Sequence, residues 1–398
     1  MNKIVVLGAF DRYNYGDLLF PVIIEQQLKT YRPDLDIAYF GIVESNLSEW
    51  GGKPTQDITA FYAQCESGEK RVNVIIAGGE AVAVTWHSLL VALNKKYHLI
   101  RRYQHHLEKF VDLNQLGRKL LKGKTTLPFV MNNSDFKNVD HVIFNSLGGS
   151  EIPESTFKKV KDLKAKLQQV DYFSVRDRAT QQNLANQQVT TQLFPDSAVL
   201  MSKFYPVEVL RDRYVSEEVK AYVAQQQGNY LFFQVNKNHA KQNEEIIAEQ
   251  LNKIYQYDQT AICLCPIGTA SNHHDDEALR RIQPHLKVDG HLFGQVSIWD
   301  VMYLIASSKC YVGTSLHGAI TAMSFAVPYI GLRVKKLDSY LATWGVKELN
   351  GVVQLPQIFE RYKQTLDMNA AALEDSKRLQ IQEIEKSFEN MRKLLMPE

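Results

Sequence analysis

Four cysteines in 398 residues are too few for a disulfide framework, and their placement does not make a metal site. Cys65, Cys263, Cys265 and Cys310 lack the paired spacing of a zinc site, and three of them fall inside apolar, strand-like runs. A reducing, cytoplasmic setting is therefore expected. An excess of one charge is missing as well: 46 basic against 44 acidic side chains leave a formal net charge of +2, which gives no global reason to expect nucleic acid. The longest apolar stretch, around residues 72–93, is interrupted by Asn73, Glu80 and His87, so no segment reads as membrane-spanning. The opening MNKIVVLGAF reads as a short strand rather than a leader peptide. Also absent are the Gly-x-Gly-x-x-Gly fingerprint, a Walker loop, a Gly-x-Ser-x-Gly elbow, a His-Glu-x-x-His pair and a kinase signature.

What is present is an alternating chain. With 45% hydrophobic and 23% charged residues the composition is that of an ordinary globular protein, and the length calls for two domains. Strands are expected at Lys3–Leu7, Ile37–Ile42, Val72–Ala77, His141–Leu147 and Tyr172–Val175, with helices near 17–31, 81–112, 154–169 and 178–187. The pattern loosens after Pro195-Asp196 into a linker-like stretch reaching about residue 215. A second series follows, with strands at Tyr230–Val235, Ala261–Pro266, Cys310–Gly313 and Tyr329–Leu332. The expectation is two Rossmann-like α/β domains facing a cleft, a GT-B-like architecture. An acceptor-side domain would cover 1–205, a donor-binding domain 206–365, and a terminal helix 366–398 would be free to cross back.

Four turns carry the chemistry. Asn14-Tyr15-Gly16-Asp17 follows the first strand, with Asp17 placed either to cap the next helix or to bind a sugar hydroxyl as a base. Gly78 and Gly79 end an apolar strand and permit close backbone approach. Arg176 stands where a strand becomes a helix, its planar fork suited to carboxylate or phosphate, or to an acid within the turn. Ser315-Leu316-His317-Gly318 opens a helix whose free N–H groups and dipole suit an anion, with Ser315 as N-cap and His317 as a titratable group. The acids at 275–276 read as helix-start residues rather than metal ligands, and no metal is expected.

One segment breaks the charge balance. Residues 95–124 hold nine Lys/Arg against two acids, on a helix with one apolar face. Such a helix can make a peripheral contact with an anionic membrane on its inner face; a surface helix packed on the sheet, with its lysines in water, is the plainer account.

In this order and strand-end context, Asn14-x-Gly16-Asp17, Gly78-Gly79, Arg176-Asp177, Pro195-Asp196 and Leu316-His317 resemble the polysaccharide pyruvyl transferase family. The resemblance implies a GT-B-fold enzyme that moves a pyruvyl group from phosphoenolpyruvate to a sugar of a surface polysaccharide or its lipid-linked precursor, forming a ketal. It implies His317 and Asp17 as catalytic residues. Asn14, Gly16, Gly78, Gly79, Arg176, Ser315, Leu316, Gly318 and Lys335 would bind substrate, with no cofactor beyond the donor itself. Many members carry Arg two residues before the His, where this chain has Ser315; Arg176, Arg333, Lys335 and Lys336 are the candidates to supply that charge. Two other readings stand beside it: a glycosyltransferase using a nucleotide sugar, and a non-catalytic scaffold of a glycan assembly complex.

Overall fold

The computed structural model describes residues 2–67, 70–93, 97, 111–269 and 274–397. Two six-stranded sheets organise the chain, and every strand pairing within them is parallel. The first comprises β1 (Lys3–Leu7), β2 (Ile37–Phe40), β3 (Val72–Ala77), β4 (Val139–Leu147), β5 (Tyr172–Val175) and β6 (Gln192–Leu193), in the order β2-β1-β3-β4-β5-β6. The second comprises β7 (Tyr230–Gln234), β8 (Ala261–Leu264), β9 (Gly290–Leu292), β10 (Cys310–Gly313), β11 (Tyr329–Leu332) and β12 (Val352–Val353), in the order β12-β11-β10-β7-β8-β9. Strands buried on both faces are nearly continuous apolar runs, with Asn73 the polar residue in VNVIIA, which is why VNVIIA and CYVG could be read as strands without alternation.

Each order reverses once. The first sheet grows from β1 to β2 and then from β1 to β3 on the other side; the second does the same from β7 to β8 and later β10. Open α/β sheets hold ligands outside the carboxyl ends of the strands at such a reversal. The residues after β1 and β3 are the Asn14–Asp17 turn and Gly78-Gly79, and those at β7 and β10 are Gln234 and Thr314–His317.

Five helices position the site: α1 (Tyr15–Tyr31), α2 (Arg178–Ala185), α3 (Leu316–Ser324), α4 (Lys335–Trp344) and α5 (Ala370–Leu395). The helix expected at 81–112 begins as a short 3-10 turn, Ala81–Ala83, followed by Trp86–Leu93. That expected at 154–169 is two short helices, Glu154–Lys159 and Leu163–Gln168. Edge strands of two or three residues carry no period and escaped the pattern.

The stretch after Asp196 is not a loose linker. Ala198–Met201 is fully buried, packed against α1, α3 and α5, because four successive apolar residues cannot remain in water at a junction. Helix α5 crosses back onto the first half. Its Phe388 and Met391 join a core that includes Ile4 and Val6 below it and Tyr311 and Ile320 of the second half, and its Ser387 hydroxyl lies 2.8 Å from Tyr172 Oη.

Among the described residues no helix is long and apolar enough to cross a membrane. Lys95, Lys96, Arg101, Arg102 and Lys109 of the basic segment lie outside the described residues; Arg118 and Lys119 end a short helix, Leu113–Leu120.

Candidate active site

The two halves meet at the turn after β1. Asn14 forms an antiparallel bridge with Gly268, the Tyr15 N–H donates to the Ile267 carbonyl at 3.1 Å, and Tyr13 Oη donates to the Val296 carbonyl at 2.6 Å. Helix α1 starts two residues earlier than its acid suggested, because Asn14 is the cap: its Oδ1 accepts the Gly16 N–H at 3.1 Å. Asp17 is thereby released from capping. Its half-buried carboxyl lines a cavity of about 200 Å³ together with Arg12, Asn14, Gly78, Gly79 and Glu80. Gly78 has φ +120°, a conformation open to glycine and strained for other residues, and both glycines face Asp17 Oδ1.

His317 comes from the other half. It is 9% exposed on the first turn of α3, with its ring edge-on to Phe20 at 5.2 Å and its Nδ1 side pressed on the Cα of Gly16. Nε2 lies 3.4 Å from Asp196 Oδ2, close enough for ion pairing but not aligned for a hydrogen bond. The turn is fixed from below: Thr321 Oγ1 donates to the His317 carbonyl at 2.7 Å and lies 2.8 Å from the buried Tyr15 Oη. His317 is not a wall of the cavity; it stands behind the Gly16–Asp17 turn, against Gly16.

Behind His317 runs a line of buried charges. Asp196 Oδ2 accepts from Arg176 Nη1 at 3.1 Å, and Arg176 Nη2 donates to Glu80 Oε1 at 2.9 Å. Burial would raise the Asp196 carboxyl, but His317 and Arg176 together hold it below the ordinary range. Burial alone would lower the Arg176 guanidinium; Glu80 and Asp196 outweigh that and raise it. Asp17 goes the opposite way to Asp196: burial raises its carboxyl, against the opposing pull of His317, Arg12 and Lys336. Two carboxyls that both feel one imidazole are thus shifted in opposite directions, the pattern that separates a proton-transfer acid from a permanent anion.

Several expected site residues turn out to serve packing. Arg176 is fully buried with its fork committed to Glu80 and Asp196, so it supports the site rather than facing a ligand; removing one member of such a buried pair typically costs about 3–5 kcal/mol. Leu316 is buried in the core, and Gly318 is small because the Tyr311 ring occupies the space a Cβ would need. Ser315 is the N-cap of α3, accepting the Gly318 N–H at 3.2 Å. Lys335 is exposed; the charge from α4 that acts on Asp17 is that of its neighbour Lys336.

Other residues were not anticipated. Asp196, where the first alternating series ends in the sequence, is the anion beside His317. Glu80 and Arg12 line the cavity. Gln234 holds the start of α3, its Oε1 accepting from the N–H groups of Thr314 and Ser315 at 3.1 and 3.0 Å, while its Nε2 donates to Asp275 Oδ2 at 2.8 Å. Asp275, read as a helix-start acid, is buried and instead accepts from the Ile267 and Gly268 N–H groups at 3.1 and 2.9 Å. Among the described residues no cluster of three or more His, Cys, Asp and Glu is placed to hold a metal, and the four cysteines are free and buried.

Solved structures share the architecture along nearly the whole chain. An Anabaena protein in complex with UDP-glucose superposes with a TM-score of 0.55 at 11% identity, covering 98% of this chain and 99% of that one. The UDP-GlcNAc 2-epimerase of Methanocaldococcus jannaschii gives 0.54 at 12% identity over 93% and 94%, and that of Neisseria meningitidis 0.53 at 11% over 96% and 99%. At such identities the likeness establishes the fold, a GT-B-like pairing of two parallel-sheet halves. No curated protein matches at a significant level. A family model, polysaccharide pyruvyl transferase, matches residues 14–336. A match over most of the chain settles the family: the chain belongs to the polysaccharide pyruvyl transferases and is a transferase enzyme.

Proposed function

We propose that the protein transfers the pyruvyl group of phosphoenolpyruvate to two hydroxyls of a sugar in a polysaccharide or its lipid-linked precursor, forming a ketal. The observation that carries this is a small cavity lined by Asp17, with the His317–Asp196 pair packed behind the Gly16–Asp17 turn. At about 200 Å³ the cavity is below the ~300–1,000 Å³ of sites for drug-sized ligands, which suits a three-carbon donor better than an oligosaccharide. The acceptor then approaches from the open side.

The donor's methylene carbon takes a proton, leaving a cationic centre at C2. One sugar hydroxyl adds there and gives up its proton; the C2–O bond to phosphate breaks; the second hydroxyl closes the ketal. Of the two hydroxyl protons, one balances that added to carbon and the other leaves with phosphate. Asp17 faces the cavity and has a carboxyl raised by burial, which suits it to deliver and collect protons there. His317, packed against Gly16 and beside Asp196, is the second acid–base group of the site. No further cofactor enters this scheme.

Incubation of the purified protein with phosphoenolpyruvate and an oligosaccharide or lipid-linked acceptor should release phosphate and add the mass of a pyruvyl ketal. His317→Asn should lower turnover by roughly 100-fold or more with the fold intact. Turnover only with a nucleotide sugar would replace this reading by the glycosyltransferase one, which the UDP-sugar complexes of its structural neighbours favour. Absence of turnover with either donor, given a competent acceptor, would favour a scaffold.

A further inference from the structure

Of two arginines at the site, Arg12 lines the cavity and Arg176 does not. Arg176 donates Nη1 to Asp196 and Nη2 to Glu80, leaving only Nε without a partner. The Arg12 side chain is 15% exposed, and its Nε lies 3.0 Å from Asp11 Oδ1 without the alignment of a hydrogen bond. Its buried Nε and Nη2 have no hydrogen-bond partner. Asp11 is engaged on its other side, where Oδ2 accepts the N–H groups of Ile42 and Val43 at 2.7 and 3.1 Å. Arg12 is therefore anchored by charge from behind, and the residue lines the cavity. A guanidinium donor removed from water and left unpaired costs free energy, so the arrangement is explained when a ligand completes it.

We propose that Arg12 is the anion-binding residue of the cavity, taking a small oxyanion, carboxylate or phosphate, against its unused donors. Other residues of the lining suit this. Gly78 and Gly79 present no side chain, and Asp17 is kept from repelling an anion to the extent that burial favours its protonated form. That the oxyanion belongs to a pyruvyl donor rests on the function proposed above; that Arg12 binds an oxyanion does not. Arg12 also acts on Asp17, so its loss should move the acid limb of the activity profile to higher pH, which a purely structural arginine would not do.

The test is calorimetric titration of the full-length protein, Arg12→Met and Arg12→Lys with inorganic phosphate and, separately, with pyruvate. Near-ultraviolet circular dichroism reports the fold. The wild type should bind at least one probe, Arg12→Met should weaken it roughly 30-fold or more, and Arg12→Lys should recover part of the loss. If Arg12→Met does not fold, the Lys variant decides by its intermediate affinity. Binding of phosphate alone assigns the donor's phosphate to Arg12; binding of pyruvate alone assigns its carboxylate. Equal affinity in wild type and variants, or no binding of either probe by the wild type, overturns the proposal. Arg12-dependent binding without any pyruvyl transfer would keep the anion site and reject the donor.

Discussion

At Gly16 the backbone of one half touches the imidazole of the other. A Cβ built there would collide with Nδ1, Cγ and Cε1 of His317, all on a ring already confined by Phe20. The imidazole cannot yield without leaving Asp196. Gly16→Ala should thus displace His317 and lower turnover about 100-fold, while the α1 helix itself tolerates or gains from Ala. Steady-state kinetics with circular dichroism checks this; near-normal turnover would show that the ring position is not needed. The same residues explain what was legible beforehand. Asp17 and His317 announce themselves as titratable groups at strand-to-helix turns, where fold geometry puts ligands. Asp196 and Glu80 do not, because their meaning depends on Arg176 reaching both across 20 and 96 residues of sequence. Arg12 was invisible for a different reason: what marks it is a missing partner, and no local pattern records one.

Between elements, the Asp275–Gln234 pair performs the linking. One carboxylate oxygen gathers the loop after β8, the end of β7 and, through Gln234, the first residues of α3. Burial pushes the Asp275 carboxyl up to about 7, against the lowering effect of its three donors. The folded protein then holds this proton more tightly than the unfolded chain. Its stabilising contribution is full below about pH 4 and is lost as pH rises through 7. Asp275→Asn keeps an acceptor for the same donors and removes the titration. Between pH 5 and pH 8 the wild type should lose on the order of 2 kcal/mol more stability than this variant, measured by urea unfolding at both pH values. Parallel slopes would mean that Asp275 titrates normally. Elements of this kind show how far periodicity carries: the long apolar strands were legible as runs, whereas β6, β9 and β12 are pairings of two or three residues that only a finished sheet edge creates.

For the whole molecule, the question is whether two sheets make two stability units. The packing argues for one. Helix α5 lies against α1, β4 and α3, and its Phe388 sits in a core continuous from Ile4 to Tyr311, so the last element of the chain closes both halves. Only its amphipathic length was readable; where it packs follows from apolar surface that the finished halves leave uncovered, as in the buried Ala198–Met201 stretch beneath it. Phe388→Ala should cost about 3–5 kcal/mol by opening a cavity that this core cannot collapse, whereas Leu379→Ala, at a side chain 52% exposed on the same helix, should stay within about 0.5 kcal/mol. The decisive readout is hydrogen exchange at β3 and β10, one central strand from each sheet. Because the lost packing is shared, Phe388→Ala should lower protection in both by the same free energy. A loss confined to β3 would show that α5 belongs to the first half alone, and that the Gly16–His317 contact joins two units free to move against each other.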